Sequence, residues 1–133
     1  MKPEKRFQKD LATTAAVMNC LIIDIPDMIV PKGWVKQRDF KEARRPFDCI
    51  LVTGTKMFGI ELKYAGGTQS VHQKQKERLY NSVNPKAYYV VRKWQSKKRN
   101  TPMTTTYYDI KQDGKVIFRT EYMPDIIDWF KGI

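Results

Sequence analysis

The sequence predicts an α/β fold, a central mixed β-sheet flanked by helices, on three observations. Apolar residues recur at helical spacing in two segments, around 4–20 and 70–83. Between and after them lie short runs rich in Val, Ile, Phe and Tyr, bounded by turn residues. In order, the segments read helix, three strands, helix, strand, with a further hairpin and a closing helix behind them. The chain has 133 residues, enough for one packed core and too few for two domains of ordinary size, so residues 1–133 are expected to form a single domain.

Phe7, Leu11, Ala15 and Met18 mark one face of the first helix, which Pro3 opens and whose stripe Glu4 borders. LIIDI at 21–25 is a short strand candidate, and the basic stretch from Lys32 to Arg45 reads as a loop or ragged strand. DCILV at 48–52, the turn Thr53-Gly54-Thr55 and KMFGIELKY at 56–64 form an antiparallel hairpin, ended by Gly66-Gly67. Val71, Gln75, Leu79 and Val83 repeat every four residues on a second helix, a spacing that turns this face to the sheet. Asn84-Pro85 breaks that helix, and AYYVVRKW at 87–94 has the content of a buried strand. QSKKRNT is a loop, TTTYYDI at 104–110 and KVIFRT at 115–120 are strands about an Asp113-Gly114 turn, and Pro124 opens a helix with Ile126, Ile127, Trp129 and Phe130.

Composition narrows the function. No segment approaches the run of about 20 apolar residues that spans a bilayer, and the charged N-terminal segment lacks the apolar block of a secretory leader. A soluble, intracellular protein is expected, with no membrane partner. Cys20 and Cys49 sit beside apolar residues, and with one histidine in the chain they make no recognisable zinc site; buried, reduced thiols are expected. A net charge of +11 suits a polyanionic partner such as nucleic acid. The surplus is local: residues 86–99 carry six bases and no acid, whereas residues 109–131 balance five acids against four bases. A solvated basic face is the other reading of the same charge.

The chemistry lies in the hairpin. Around a turn at Gly54, residues whose numbers sum to about 109 face each other, which sets Asp48 opposite Glu61. Glu61 and Lys63 project to one side while Leu62 points to the other. Two facing carboxylates repel, so folding stability gives no reason for the arrangement. A divalent cation gives one, since Mg²⁺ is held by one or two carboxylates plus water and substrate phosphate. In phosphodiester cleavage the ion polarises the phosphate, and Lys63 could orient or deprotonate the attacking water or stabilise developing charge. Asp27, after Pro26, is a decoy for Asp48, because it lies outside the hairpin and would need a separate accident of geometry to reach Glu61.

Pro46-Phe47-Asp48, twelve residues, then Glu61-Leu62-Lys63 resembles the PD-(D/E)xK nuclease signature, over roughly residues 4–94. Phe47, between Pro and Asp, departs from the pattern. The resemblance implies a restriction-endonuclease-like core in the order αβββαβ and a DNA endonuclease using Mg²⁺, with Mn²⁺ able to substitute. It implies a metal held by Asp48, Glu61, the Leu62 backbone carbonyl and Glu4, with Lys63 and a glutamine completing the catalytic set. Gln75 is the better match for that glutamine and Gln73 the alternative; Glu4 could instead only complement its helix dipole. Lys5, Arg6, Arg38, Arg44, Arg45, Lys97, Lys98 and Arg99 would then contact DNA phosphates. Trp34, Trp94, Trp129, Tyr107 and Tyr108 read as core or interface residues, and His72 as a surface one.

Similar small nucleases include archaeal-type and phage Holliday junction resolvases, so the expected function is structure-specific cleavage of branched or double-stranded DNA by a homodimer of phage or prokaryotic origin. The alternatives are a flap, nicking or end-processing nuclease of the same class and a catalytically silent DNA-binding module. Intact Asp48, Glu61 and Lys63 count against silence.

Overall fold

In the computed structural model, which describes residues 1–26, 46–97 and 99–133, α1 (Pro3–Val17) runs first and buries Phe7, Leu11 and Ala15. Its chain reverses at Asn19, in the left-handed region at φ 59°, and enters the short strand β1 (Leu21–Asp24). β2 (Cys49–Thr53) and β3 (Lys56–Tyr64) form the predicted hairpin about Gly54, whose φ of 57° suits a residue without a Cβ. α2 (Val71–Val83) leads to β4 (Tyr88–Lys97), and β5 (Thr104–Gln112) and β6 (Lys115–Thr120) precede α3 (Met123–Lys131). The core is therefore αβββαβ, as expected, with a hairpin and a helix appended.

The six strands form one sheet in the order β1-β2-β3-β4-β5-β6. Every neighbouring pair is antiparallel except β3 and β4, which α2 connects in parallel. This is the mixed α/β sheet the sequence predicts. β4 continues through Gln95, Ser96 and Lys97, which the sequence reads as loop, because Thr104, Thr105 and Thr106 offer a β-branched ladder partner.

One face of the sheet holds the hydrocarbon core. Leu51, Phe58, Ile60, Leu62, Tyr89, Val91 and Ile110 meet Phe7 and Leu11 of α1 and Ile126, Ile127 and Phe130 of α3. Aromatic rings lock α3 down, Phe58 and Tyr89 lying 5.0 and 5.1 Å from Phe130. Cys20 and Cys49 are buried in this core and form no disulfide, as expected. Among the described residues no helix is long and apolar enough to cross a membrane.

α2 lies over the opposite face, and here one expectation is corrected. Val71, Leu79 and Val83 are 69%, 61% and 84% exposed, and Gln75 is exposed with them. The covered side of α2 instead carries Gln73, Glu77 and Tyr80. The apolar four-residue repeat points to solvent, while Gln73 binds Glu61 and Tyr80 packs on the Phe47 and Tyr88 rings, so mixed polar and aromatic contacts orient α2.

Candidate active site

Cys49 pairs with Ile60, so the register of the hairpin is the predicted sum. One residue further, Asp48 comes opposite Glu61: the Asp48 N–H donates to the Ile60 carbonyl at 3.1 Å, and the Leu62 N–H donates to Asp48 Oδ2 at 2.7 Å. The second bond fixes the Asp48 carboxylate against the edge of β3. Glu61 is 6% exposed, a position where an unpartnered carboxylate would be costly. Gln73 Nε2 donates to Glu61 Oε1 at 2.6 Å, and Lys63 Nζ stands 3.7 Å from the same oxygen. Lys63 thus shares the Glu61 face, as strand alternation predicts.

The glutamine is placed by helix capping. Ser70 accepts from the Gln73 N–H while Gln73 Oε1 accepts from the Ser70 N–H, a reciprocal capping box that closes the first turn of α2. Its carbonyl end is held by the cap, so the amide's other end aims at Glu61. Gln73 therefore occupies the place expected of Gln75, which lies on the exposed side of the helix and outside the cluster. The sequence signal was present: Ser70-x-x-Gln73 is a capping-box spacing, and it orients residue 73 inward.

Phe47, the departure from the motif, has a structural use. A Cβ at Gly59 would lie 2.3 Å from its ring, so only glycine leaves room for it. The ring packs edge-on against Tyr80 at 5.6 Å and tilted against Tyr88 at 5.9 Å, tying the residue before Asp48 to α2 and β4.

No family model and no curated protein matches this chain. Among solved structures it is similar to Archaeoglobus fulgidus Hjc, a Holliday junction resolvase from an archaeal hyperthermophile, with 16% identity, 80% of this chain and 73% of that chain covered, and a TM-score of 0.46.

Asp48 and Leu62 open onto a cleft of about 920 Å³ whose far wall is the start of α1, with Glu4, Lys5 and Gln8, and whose floor includes Asp24. Glu4 reaches towards the site: a Cβ at Gly67 would lie 3.9 Å from Glu4 Oε1 and 3.8 Å from Lys63 Cδ. Glu4 lines the cleft with Asp48, and among the described residues no three His, Cys, Asp or Glu side chains converge as a metal-holding group. Two carboxylates and the Leu62 carbonyl remain, a hard oxygen set of the kind that takes Mg²⁺ with water filling the other positions. Lys5 lines the cleft, Arg6 is exposed on α1, and Lys97 and Arg99 are exposed at the end of β4 and just beyond it. Arg38, Arg44, Arg45, Lys98, Trp34 and the decoy Asp27 lie outside the described residues.

Sequence reasoning missed two groups on this face. Behind Glu61, the side-chain atoms Gln69 Nε2, Glu77 Oε2 and Tyr88 Oη are buried and, among the described residues, without a hydrogen-bond partner. Burial raises the Glu77 pKa; a hydrogen bond from the Asp113 backbone opposes the rise, the Asp113 charge adds to it, and Gln69 and Lys111 oppose it. Burial also raises Tyr88, helped by the negative charges of Glu61 and Asp48, so its phenol stays protonated. Beyond Lys63, Asp109 is fully buried and gathers Arg92, Trp94 and Arg119. Burial alone would raise the Asp109 pKa, but the hydrogen bond and charge of Arg119, then Trp94 and Arg92, outweigh it and hold the carboxyl below its usual range. These residues meet only through the β4–β5–β6 registers, so no local pattern in the sequence signals them.

Proposed function

We propose that this protein is a metal-dependent endonuclease that hydrolyses DNA phosphodiester bonds, acting as a homodimer on branched DNA as a Holliday junction resolvase does. The observation that carries the reading is the register that sets Asp48 opposite Glu61 with Lys63 on the same face, since this polar cluster costs stability and is explained by an ion and a phosphate. Asp48, Glu61 and the Leu62 carbonyl would hold Mg²⁺, and Glu4 would reach it through water. The ion, when bound, supplies charge stabilisation at the scissile phosphate and a more acidic water.

The remaining work falls to the chain itself. The bond from the Leu62 N–H holds Asp48 in place, and Gln73 holds Glu61, so neither carboxylate has to reorganise when substrate arrives. Lys63 offers its N–H donors to the charge that develops on the phosphate oxygens, or to the attacking water. The N-terminal turn of α2, which Gln73 ties to Glu61, adds a partial positive charge on the same side. Symmetric cleavage of a four-way junction needs two such sites related by a two-fold axis, which motivates the homodimer.

Incubation with a labelled four-way junction, a linear duplex and a single strand of the same sequence, with and without Mg²⁺, tests the reading. Paired symmetric nicks on the junction alone, and only with metal, are expected. Metal-dependent cutting of the other DNAs would move the substrate to flaps or ends. No cutting of any DNA would overturn the enzyme reading in favour of a binding module.

A further inference from the structure

The Glu61 face continues past Lys63 into a cluster with no part in the chemistry above. Lys63 pairs with Arg92 across the parallel ladder, Arg92 with Asp109, and Asp109 with Arg119, so all four side chains stand on one face of the sheet. Asp109 accepts hydrogen bonds from Arg92 Nη2 at 3.0 Å, Trp94 Nε1 at 2.8 Å, and Arg119 Nε at 2.7 Å and Nη2 at 3.3 Å. The two guanidinium carbons lie 5.2 and 5.0 Å from the centre of the Trp94 ring. Tyr107 stacks on Trp94 at 4.8 Å and 26°. One buried carboxylate thus fixes two cations and an indole in a rigid column with a second aromatic ring.

Stability does not account for this. A buried ion pair is often no better than well-packed hydrocarbon, and the other face of the same strands shows that this chain can supply hydrocarbon. Nor do the described residues cover the cluster: α2 crosses the opposite end of β4, where Asn81 binds the Tyr88 backbone, and Trp94, Tyr107 and Arg92 remain partly open while the Arg119 side chain is 46% exposed. A hollow of about 500 Å³ adjoins it, bounded by Tyr64, Ala65, Gly66, Arg92, Trp94 and Gln95. Two cations on one anion leave positive charge, and Lys63 adds to it. From strand spacing and rise, the Trp94 backbone lies about 8 Å from that of Lys63, within reach of a nucleotide next to one being cut.

We propose that this cluster binds an unpaired nucleotide of a DNA strand, its base held against Trp94 in the hollow and its phosphates by Arg92 and Arg119. The chemistry is that of single-strand recognition, in which aromatic rings and guanidinium planes take an unstacked base and cations follow the backbone. A base inside a continuous duplex is already stacked and paired, so the cluster selects DNA that is open at a branch or an end. This deepens the nuclease reading by naming what the enzyme would require beside the scissile phosphate, and its placement rests on that reading.

Binding without cleavage tests it. In EDTA, the affinities of wild type, Trp94→Leu and Trp94→Phe are measured for a labelled duplex with a single-stranded arm and for the fully paired duplex, after melting curves establish that each variant is folded. Both substitutions remove the N–H to Asp109, and only Phe keeps an aromatic face. Trp94→Leu should weaken binding of the armed DNA by about tenfold and change paired-duplex binding by less than about twofold, while Trp94→Phe stays near wild type on both. Equal losses for Leu and Phe, or equal losses on both DNAs, would overturn the proposal. Metal-dependent cleavage by wild type with no Trp94 effect would defeat this inference and leave the nuclease standing; a Trp94 effect in a protein that never cleaves would do the reverse.

Discussion

The two faces of one sheet are built to opposite rules. Under α1 and α3 the strands present Leu51, Phe58, Ile60, Leu62, Tyr89, Val91 and Ile110, a continuous apolar layer. One residue along the same strands, on the face that α2 only partly covers, stand Asp48, Glu61, Lys63, Arg92 and Asp109, every one of them ionisable. Strand alternation lets adjacent residues serve different ends, with hydrophobic burial on one face stabilising the fold firmly enough to hold expensive polar groups on the other. The difference teaches where to look for function in a small domain: at the positions where an apolar strand departs from its own pattern.

The largest expected effect breaks the stabilising face. Ile60, 1% exposed, neighbours Glu61 in sequence and faces the other way. Ile60→Ala should cost about 3 kcal/mol in chemical denaturation, while the residual folded protein still cleaves. A loss of cleavage without loss of stability would mean the two faces are not separable.

Asp109→Asn attacks the polar face. It should cost about 2 kcal/mol at neutral pH, the buried anion being lost to partners that are partly solvated. Because its folded pKa is lowered, the Asp109 contribution is fully present above the unfolded value of about 3.8 and disappears as pH falls through the folded value. Wild type and variant should therefore converge in acid; a gap that persists there would show that packing, not charge, is responsible.

Gln73→Ala should lower cleavage by about tenfold, as loss of a partner that orients a metal-binding carboxylate does, and Gln75→Ala should leave it unchanged. The pair sharpens the correction to α2, and its reverse outcome would restore the sequence-based choice.

How much was legible follows from the same contrast. α1, the β2–β3 hairpin and its register, and the Asp48, Glu61, Lys63 patch could all be read because apolar periodicity and turn chemistry specify elements that pack on hydrocarbon. α2 was located correctly and rotated wrongly. Its apolar stripe reads as the inward face, whereas the contacts that orient it are Gln73 on Glu61 and Tyr80 on the Phe47 and Tyr88 rings, which apolar periodicity does not signal. Arg92, Asp109 and Arg119 escaped notice because they are far apart in sequence and meet only through the β4–β5–β6 registers, which no local pattern encodes.

The smallest effect is Glu77→Gln. Burial raises the Glu77 pKa, so the acid's contribution is present below the unfolded value of about 4.5 and is lost as pH rises through the folded one. The neutral amide should thus make the protein modestly more stable than wild type at neutral pH and match it near pH 4; a variant less stable at both would show that the carboxyl is satisfied where it lies.

The measurement that bears most directly on the polar face as a catalytic face is junction cleavage by Asp48→Asn beside wild type in Mg²⁺, with junction binding followed in EDTA. The variant should bind as wild type does and leave the junction uncut. A variant that cuts at the wild-type rate would contradict the assignment of Asp48 and Glu61 as the centre of the chemistry.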